Sequence, residues 1–295
     1  MALKDFFDNY FYGRPNKSDF TEKDMPATRM QLFREVLKVR KGSMVGLNLL
    51  YLVIWLPAIV WTFINVVQLS GVLSGDLDWG LESLLFSYLL LLFPLTAITG
   101  PFNAGVSYVM RNWARDEHAF PFLDFKHAMK ANWKQALLFG IIEGAAPLLV
   151  FICIIFYSGM AGGSFIFYLP IAVVLVAALL WSLSAQLMPT LMVTYRLRFP
   201  QLVKNAVILT LATLPRAIGA KLATLALPLL GLLVSLVFPA AMSWLGSILL
   251  ALYAIFILSF NKLIVASYAN AVCEKYLNTK IEGAQVNIGL RQRDE

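Results

Sequence analysis

The chain has 295 residues, of which 59% are hydrophobic and 14% are charged, and its formal net charge is +7. Soluble domains contain about 45–50% apolar and about 25% charged residues, so this composition excludes a soluble globular protein and indicates a membrane protein. The basic residues flank apolar stretches and form no single patch, so no nucleic-acid partner is expected. Cys153 and Cys273 fall on opposite sides of the predicted bilayer, which excludes a disulfide.

Six apolar stretches are long enough to cross the hydrocarbon core, which takes roughly 20 helical residues. They cover residues 44–69, 83–109, 136–158, 165–194, 217–237 and 242–268. The predicted fold class is therefore all-α: a polytopic membrane protein with six transmembrane helices and interfacial cytoplasmic helices. The predicted organisation is a cytoplasmic segment at 1–43, a transmembrane domain at 44–270, and a cytoplasmic tail at 271–295 that frays after Tyr276.

The basic residues predict the orientation of these spans. Of the 24 Lys and Arg residues, nine precede the first span, five lie between spans two and three, five lie between or just inside spans four and five, and the last five run from Lys262 to Arg293. The alternate connections contain none. By the positive-inside rule, both the N and the C terminus are expected to be cytoplasmic.

An amphipathic helix is predicted just before the first span. In RMQLFREVLKVRKG, apolar residues recur at close to helical spacing, with basic residues between them. Two placements are open for it. The helix lies on the inner leaflet of the membrane, or it docks on a soluble partner.

Thr99, Gly100 and Pro101 interrupt the second span. Thr and Gly cap helices, and proline is tolerated at a first helical position, so these residues predict a helix end followed at once by a new helix. Broken intramembrane helices bind anions or substrates in many transporters. The alternative is a plain kink whose backbone groups are satisfied by neighbouring helices or by Thr99.

The charged segment after the break predicts an interfacial helix. FLDFKHAMKANWKQ is expected to be capped near Asp124, and its lysines recur every four residues beside aromatic residues. Such a face suits the anionic headgroups of the bilayer or a cytoplasmic partner. The predicted docking or headgroup face comprises Arg111, Arg115, Asp124, Phe125, Lys126, Lys130, Trp133 and Lys134. The basic segment YRLRFPQLVKNAV predicts a second, similar cytoplasmic elbow.

Glu143 is an acidic residue about two turns inside the third predicted span. An acidic residue at mid-span costs roughly 2.5–3.5 kcal/mol on insertion, so it is expected to face protein or water. One hypothesis is a proton- or cation-handling carboxylate in a cavity. The other is a structural carboxylate, favoured by Gly140 and Gly144, which allow close helix packing. The candidate neighbours are Lys221, Arg216, Asn205, Asn103 and Gln186.

The block from Thr99 to Gln135 resembles the YesL-like family of bacterial integral membrane proteins of unknown function. The resemblance rests on the Thr-Gly-Pro break followed by Ala104, Gly105, Tyr108, Arg111, Arg115, Asp116, Asp124, Phe125, Asn132, Lys134 and Gln135. It implies a multi-pass protein of the bacterial cytoplasmic membrane, of a kind frequently found among genes for carbohydrate uptake and breakdown.

Three functions follow as hypotheses. The first is a non-enzymatic accessory or regulatory component associated with carbohydrate uptake, which docks on a membrane transport complex through its basic elbows. The second is a secondary transporter that uses Glu143. The third is a membrane enzyme acting on lipid or glycan, for which Asp116, Glu117 and His118 are the crowded candidates. These three residues lack metal-ligand spacing, so no metal site is predicted, and no cofactor motif is present.

Overall fold

The computed structural model describes residues 25–74, 80–162, 164–237, 248–249 and 251–291. All regular secondary structure in these ranges is helical, which confirms the all-α class. The α-helices are α1 (Arg29–Ser74), α2 (Leu81–Ile98), α3 (Gly100–Trp113), α4 (Pro121–Ala161), α5 (Tyr168–Ser184), α6 (Met188–Thr194), α7 (Phe199–Ala212), α8 (Leu214–Val237) and α9 (Leu258–Tyr276).

Five helical stretches of the described chain are long and apolar enough to cross a membrane. They are Arg29–Leu69, Leu81–Ile98, Pro121–Met160, Phe165–Ser184 and Tyr253–Lys280. A sixth crossing is counted if α7 and α8, which meet at a bend of 99°, form one span. The outward faces of these helices carry exposed Leu, Val, Ile and Phe side chains, as expected where hydrocarbon replaces water. The chain is therefore a multi-pass membrane protein.

The predicted amphipathic helix is not a separate element. α1 runs without a break through 46 residues, about 69 Å at 1.5 Å per residue, which is more than twice the thickness of the hydrocarbon core. Leu32 and Val36 on its N-terminal part are buried against the core around Trp113. Two residues of the apolar face thus pack on the protein, whereas Met30 of the same segment is 61% exposed. Residues 1–24 of the predicted cytoplasmic segment lie outside the described residues.

Other predicted boundaries also shift. The predicted interfacial helix and the third span form one helix, α4, because no glycine or proline lies between Pro121 and Gly140 to end it. The predicted fourth span, 165–194, is divided between α5 and the short α6. Parts of the outer connections and of the sixth span, at 75–79, 163, 238–247 and 250, lie outside the described residues.

The protein core lies around the two short helices α3 and α6. Nine of the 14 residues of α3 are buried, and Trp113 at its end is fully enclosed among α1, α3 and α9. A second cluster, which includes Leu191 of α6, packs α4, α6, α7 and α9 together. Protein surrounds α3 and α6, whereas the longer helices expose apolar faces.

The described ends of the chain meet at one end of the bundle. Arg29, at the start of α1, pairs with Glu274 of α9. The backbone N–H of Asn287 donates to the Glu274 carboxylate at 2.8 Å, and that of Arg291 donates to the Pro26 carbonyl at 2.9 Å. The predicted fraying after Tyr276 is wrong for residues 277–291, because this part of the tail folds back onto α9 and α1. Ends that meet in this way require an even number of membrane crossings.

Candidate functional site

The Thr-Gly-Pro break brings α2, α3 and α4 into backbone contact. α2 ends at Ile98 and α3 begins at Gly100, as predicted, and the Thr99 hydroxyl donates to the Thr96 carbonyl at 2.7 Å. A Cβ atom on Gly100 would collide with the Ala136 carbonyl of α4, and one on Gly140 would collide with the Ala97 carbonyl. Thr99 therefore finds its hydrogen-bond partner within the same turn. Gly100 and Gly140 allow α4 to pack closely against the break.

The turn into α3 places polar side chains in a cavity of about 220 Å³ inside the bundle. Residues from α3, α4, α5, α6, α8 and α9 and from the α5–α6 turn line it, and ten of the fifteen are polar, so the cavity favours a hydrophilic occupant. The polar lining residues are Asn103, Ser107, Glu143, Ser182, Gln186, Thr190, Lys221, Thr224, Asn261 and Lys262.

Three ionisable side chains meet in this cavity: Glu143 of α4, Lys221 of α8 and Lys262 of α9. The Trp181 indole N–H donates to a Glu143 carboxylate oxygen at 2.7 Å. Lys262 Nζ donates to Asn103 Oδ1 at 2.6 Å. Among the described residues, no ion pair within 4.0 Å joins Glu143 to either lysine. The cavity therefore brings together two lysine side chains and one glutamate side chain, a formal excess of one positive charge.

Part of this site follows from the sequence. Asn103, Gln186 and Lys221, three of the expected neighbours of Glu143, do line the cavity, whereas Arg216 and Asn205 do not. The count of basic residues groups Lys262 with the cytoplasmic ones, whereas the structure places it in the cavity; its position inside the sixth predicted span is the signal in the sequence for this location. Nothing in the local pattern distinguishes Trp181 from a lipid-facing aromatic residue.

A π-helical turn, Tyr253–Ile257, precedes the part of α9 that carries Lys262. Asn48 of α1, which is fully buried, donates to the Tyr253 and Ala254 carbonyls at 2.9 and 2.8 Å. Its side-chain oxygen accepts from the Ser259 N–H at 2.8 Å. Asn48 therefore connects α1 to this turn by three hydrogen bonds. Such turns occur frequently at functional sites.

The two arginines of the predicted docking face belong to the interior of the protein. Arg111 and Arg115 pair with Glu117 at 3.7 and 3.2 Å, and their side chains are only 13% and 16% exposed. Burial, together with the nearby Arg115, lowers the pKa of the Arg111 guanidinium from its ordinary value. Both arginines therefore stabilise the turn after α3 and are not free to bind a partner.

Phe125 and Asp124 of the same predicted face are also structural. Phe125 is buried and packs on Gly105, where a Cβ atom would lie only 2.7 Å from its ring. Asp124 accepts the Phe120 backbone N–H at 2.8 Å and so caps the start of α4. Asp and Phe occur both in surface helices and in buried helices, so the sequence pattern does not distinguish a docking role from a structural one.

The remaining part of the predicted face is a surface. Lys126, Lys130 and Lys134 are exposed. Trp133 is 49% exposed, and Lys134 Nζ lies 5.6 Å from the centre of the Trp133 ring. We call these four residues the lysine face.

Comparison with known proteins gives one match, to a family model described as a protein of unknown function, DUF624, over residues 44–158. No curated protein and no solved structure matches the chain. The matched segment contains the Thr-Gly-Pro break, Asn103 and Glu143, whereas Lys221 and Lys262 lie outside it. Residues 44–158 are therefore similar to an uncharacterised family, whose description names no activity.

Proposed function

We propose that this protein is a membrane transporter that binds a small, hydroxylated anion in the polar cavity. The observation that carries the proposal is the meeting of Glu143, Lys221 and Lys262 in one cavity, although the three residues come from three different helices, α4, α8 and α9. Ionisable groups within the membrane are expensive, and they mark substrate and ion pathways more often than structural pairs.

The charge and the size of the cavity favour a small anion. Two lysines face one carboxylate, so an added negative charge completes the balance. The volume of about 220 Å³ lies below the roughly 300–1,000 Å³ of pockets that bind drug-sized ligands, so the cavity suits a small solute.

Gln186 favours an anion that also carries hydroxyl groups. This side chain is 8% exposed, and its amide N–H groups donate to the Leu183 and Ala217 carbonyls at 3.3 Å each. Its side-chain oxygen is buried without a hydrogen-bond partner among the described residues. A buried acceptor left unpaired is costly, and a ligand hydroxyl would satisfy it.

Interrupted helices on two sides of the cavity favour transport over static binding. Asn103 and Ser107 come from the first two turns of α3, after the break, and Lys221 and Thr224 lie two to three turns into α8, the helix that follows the 99° bend. Discontinuous helices around a central site are characteristic of secondary transporters, in which they rearrange to give alternating access. In such a transporter, Glu143 is the acidic side chain that counters the charges of Lys221 and Lys262.

The cellular setting is part of the proposal. We place the protein in the bacterial cytoplasmic membrane with both termini inside, supported by the one-sided distribution of Lys and Arg and by the meeting of the described chain ends. The resemblance to YesL-like proteins connects it with carbohydrate uptake and breakdown, which supplies hydroxylated acids and phosphates.

Binding to purified protein in nanodiscs tests the cavity, with gluconate, lactate and inorganic phosphate as probes and with counterflow in proteoliposomes as the transport readout. At least one probe should bind saturably. Lys221→Gln and Lys262→Gln should each raise its Kd tenfold or more, whereas Glu143→Gln should lower it, because the opposing charge is removed. Lys204→Gln, an exposed lysine of α7 outside the cavity, is the matched control and should change the Kd less than twofold.

The lysine face favours a second function, the accessory component of a carbohydrate-uptake complex. Exposed Lys126, Lys130, Lys134 and Trp133 provide a docking surface that the cavity does not require. If none of the probes binds saturably, or if Lys204→Gln has the same effect as Lys221→Gln, the transporter proposal fails. The accessory function makes a different prediction. One transport-complex partner should co-purify reproducibly with the wild-type protein and with the cavity variants, but not with the variant in which Lys126, Lys130 and Lys134 are all replaced by Gln.

A further inference from the structure

A second cavity, of about 570 Å³, lies between α4 and α5 and adjoins the polar one. Its walls include Val150 and Cys153 of α4 and Val174, Ala177 and Ala178 of α5. The two cavities share Glu143 and Ser182. Apart from these two residues and the Trp181 N–H, the second cavity has an apolar lining, so it offers a ligand no further polar partner.

Trp181 stands at the boundary between the two cavities. It lines the apolar cavity, and its N–H donates to the Glu143 carboxylate at 2.7 Å. A tryptophan suits such a boundary because its ring is apolar and its N–H needs a polar partner. The contact between Trp181 and Glu143 therefore divides a polar compartment from an apolar one.

We infer that the ligand of the polar cavity is an anionic amphiphile, with its head between Lys221 and Lys262 and its alkyl chain between α4 and α5. This inference rests on the proposed function and names the substrate class. A soluble anion would use only the polar compartment. An amphiphile fills both, and its head supplies the negative charge that the two lysines lack.

The surroundings of the apolar cavity indicate that the ligand arrives from the bilayer. Leu149, which lines this cavity, is 58% exposed, and Val176 and Leu179 on α5 are 66% and 61% exposed. These are lipid-facing positions, so a chain already in the membrane reaches the cavity without crossing water. The ligand is therefore derived from a membrane lipid, and its anionic head is drawn inward past Trp181.

Filling the apolar cavity tests this inference. The probes are ethyl phosphate and dodecyl phosphate, titrated into the protein in phosphatidylcholine nanodiscs, with empty nanodiscs subtracted. Ala178→Leu should raise the Kd of dodecyl phosphate at least tenfold and change that of ethyl phosphate less than twofold. Ala172→Leu is the matched control, because Ala172 is exposed on the same helix and does not line the cavity. It should change neither Kd.

Other outcomes separate the two proposals. If Ala178→Leu leaves both Kd values unchanged, the apolar cavity holds only surrounding lipid; the inference is overturned and the small-anion function stands. If neither ethyl phosphate nor dodecyl phosphate binds the wild-type protein saturably, the inference is overturned, and the small-anion function is decided separately by the titrations with gluconate, lactate and inorganic phosphate. Cys153→Phe fills the same cavity from α4 and serves in place of Ala178→Leu if that variant does not fold.

Discussion

Asn48 shows how one buried side chain stabilises the last helix at the point where it departs from regular α-helical geometry. Its amide bonds two carbonyls and one N–H of the segment Tyr253–Ser259. The lipid around the bundle offers no water to replace these bonds. The position of Lys262, a turn further along α9, therefore depends on a residue of α1.

We predict that Asn48→Leu destabilises the protein by at least about 2 kcal/mol, because each buried polar group left unpaired costs ~1–3 kcal/mol. Thermal unfolding in detergent measures the change. Asn65→Leu is the matched control: Asn65 is also buried on α1, but it bonds only the Trp61 carbonyl of its own helix. Its replacement should cost less than about 1 kcal/mol, and equal losses would show that Asn48 has no special role.

At the scale of the helices, close packing between α4 and the α2–α3 break positions Glu143. Gly140 contacts the backbone of α2 and α3, and Gly144 lies against Phe93 and Thr96. These two glycines flank Glu143 on α4. Small residues of this kind let membrane helices approach closely where apolar burial gives no net driving force.

We predict opposite signs for two Gly→Ala substitutions on α4. Gly140→Ala should destabilise the protein by about 1–3 kcal/mol, because the new methyl group overpacks a backbone contact, and should change the Kd of the anion, because it moves Glu143. Gly159→Ala, with nothing within 4 Å of its added Cβ, should instead stabilise by about 0.5–1 kcal/mol through helix propensity. Thermal unfolding and the Kd of the bound anion are the measurements, and a stabilising Gly140→Ala would contradict the packing argument.

For the whole molecule, contacts between the two ends of the chain close one end of the bundle. Glu274 is buried on α9, where it pairs with Arg29 and accepts the Asn287 N–H. Gly289, with φ +74°, lies against the Arg115 carbonyl, so the returning tail also covers the turn after α3. The tail therefore connects α1, α3 and α9.

We predict that Glu274→Gln destabilises the protein by about 2 kcal/mol. A fully buried pair broken on one side costs ~3–5 kcal/mol, and the cost is smaller here because the Arg29 side chain is 29% exposed. Hydrogen exchange in residues 277–291 should become faster. Asp116→Asn breaks a 4.0 Å pair between Arg40 and a 57% exposed aspartate, and it should cost less than about 0.5 kcal/mol. An unchanged exchange rate in Glu274→Gln would refute the role of this contact.

The sequence by itself determined the fold class, the approximate positions of most apolar spans, and the break at Thr99–Pro101. Each of these depends on local properties: a span is recognised from its own length and hydropathy, and a break from its own glycine and proline. The sequence does not predict that the interfacial helices are continuous with the spans in α1 and α4, because a charged segment marks a membrane boundary without ending a helix.

Only the tertiary structure decided which polar residues meet. Glu143 and Trp181 are 38 positions apart, Lys262 and Asn103 are 159 apart, and Asn48 and Tyr253 are 205 apart. No local pattern encodes such pairs, because helix packing selects them through the glycine contacts and the two helix interruptions. For the same reason, the sequence predicts that Arg111 and Phe125 lie on the surface, whereas they are interior in the fold. It also predicts that Lys262 is cytoplasmic, whereas this residue lines the cavity.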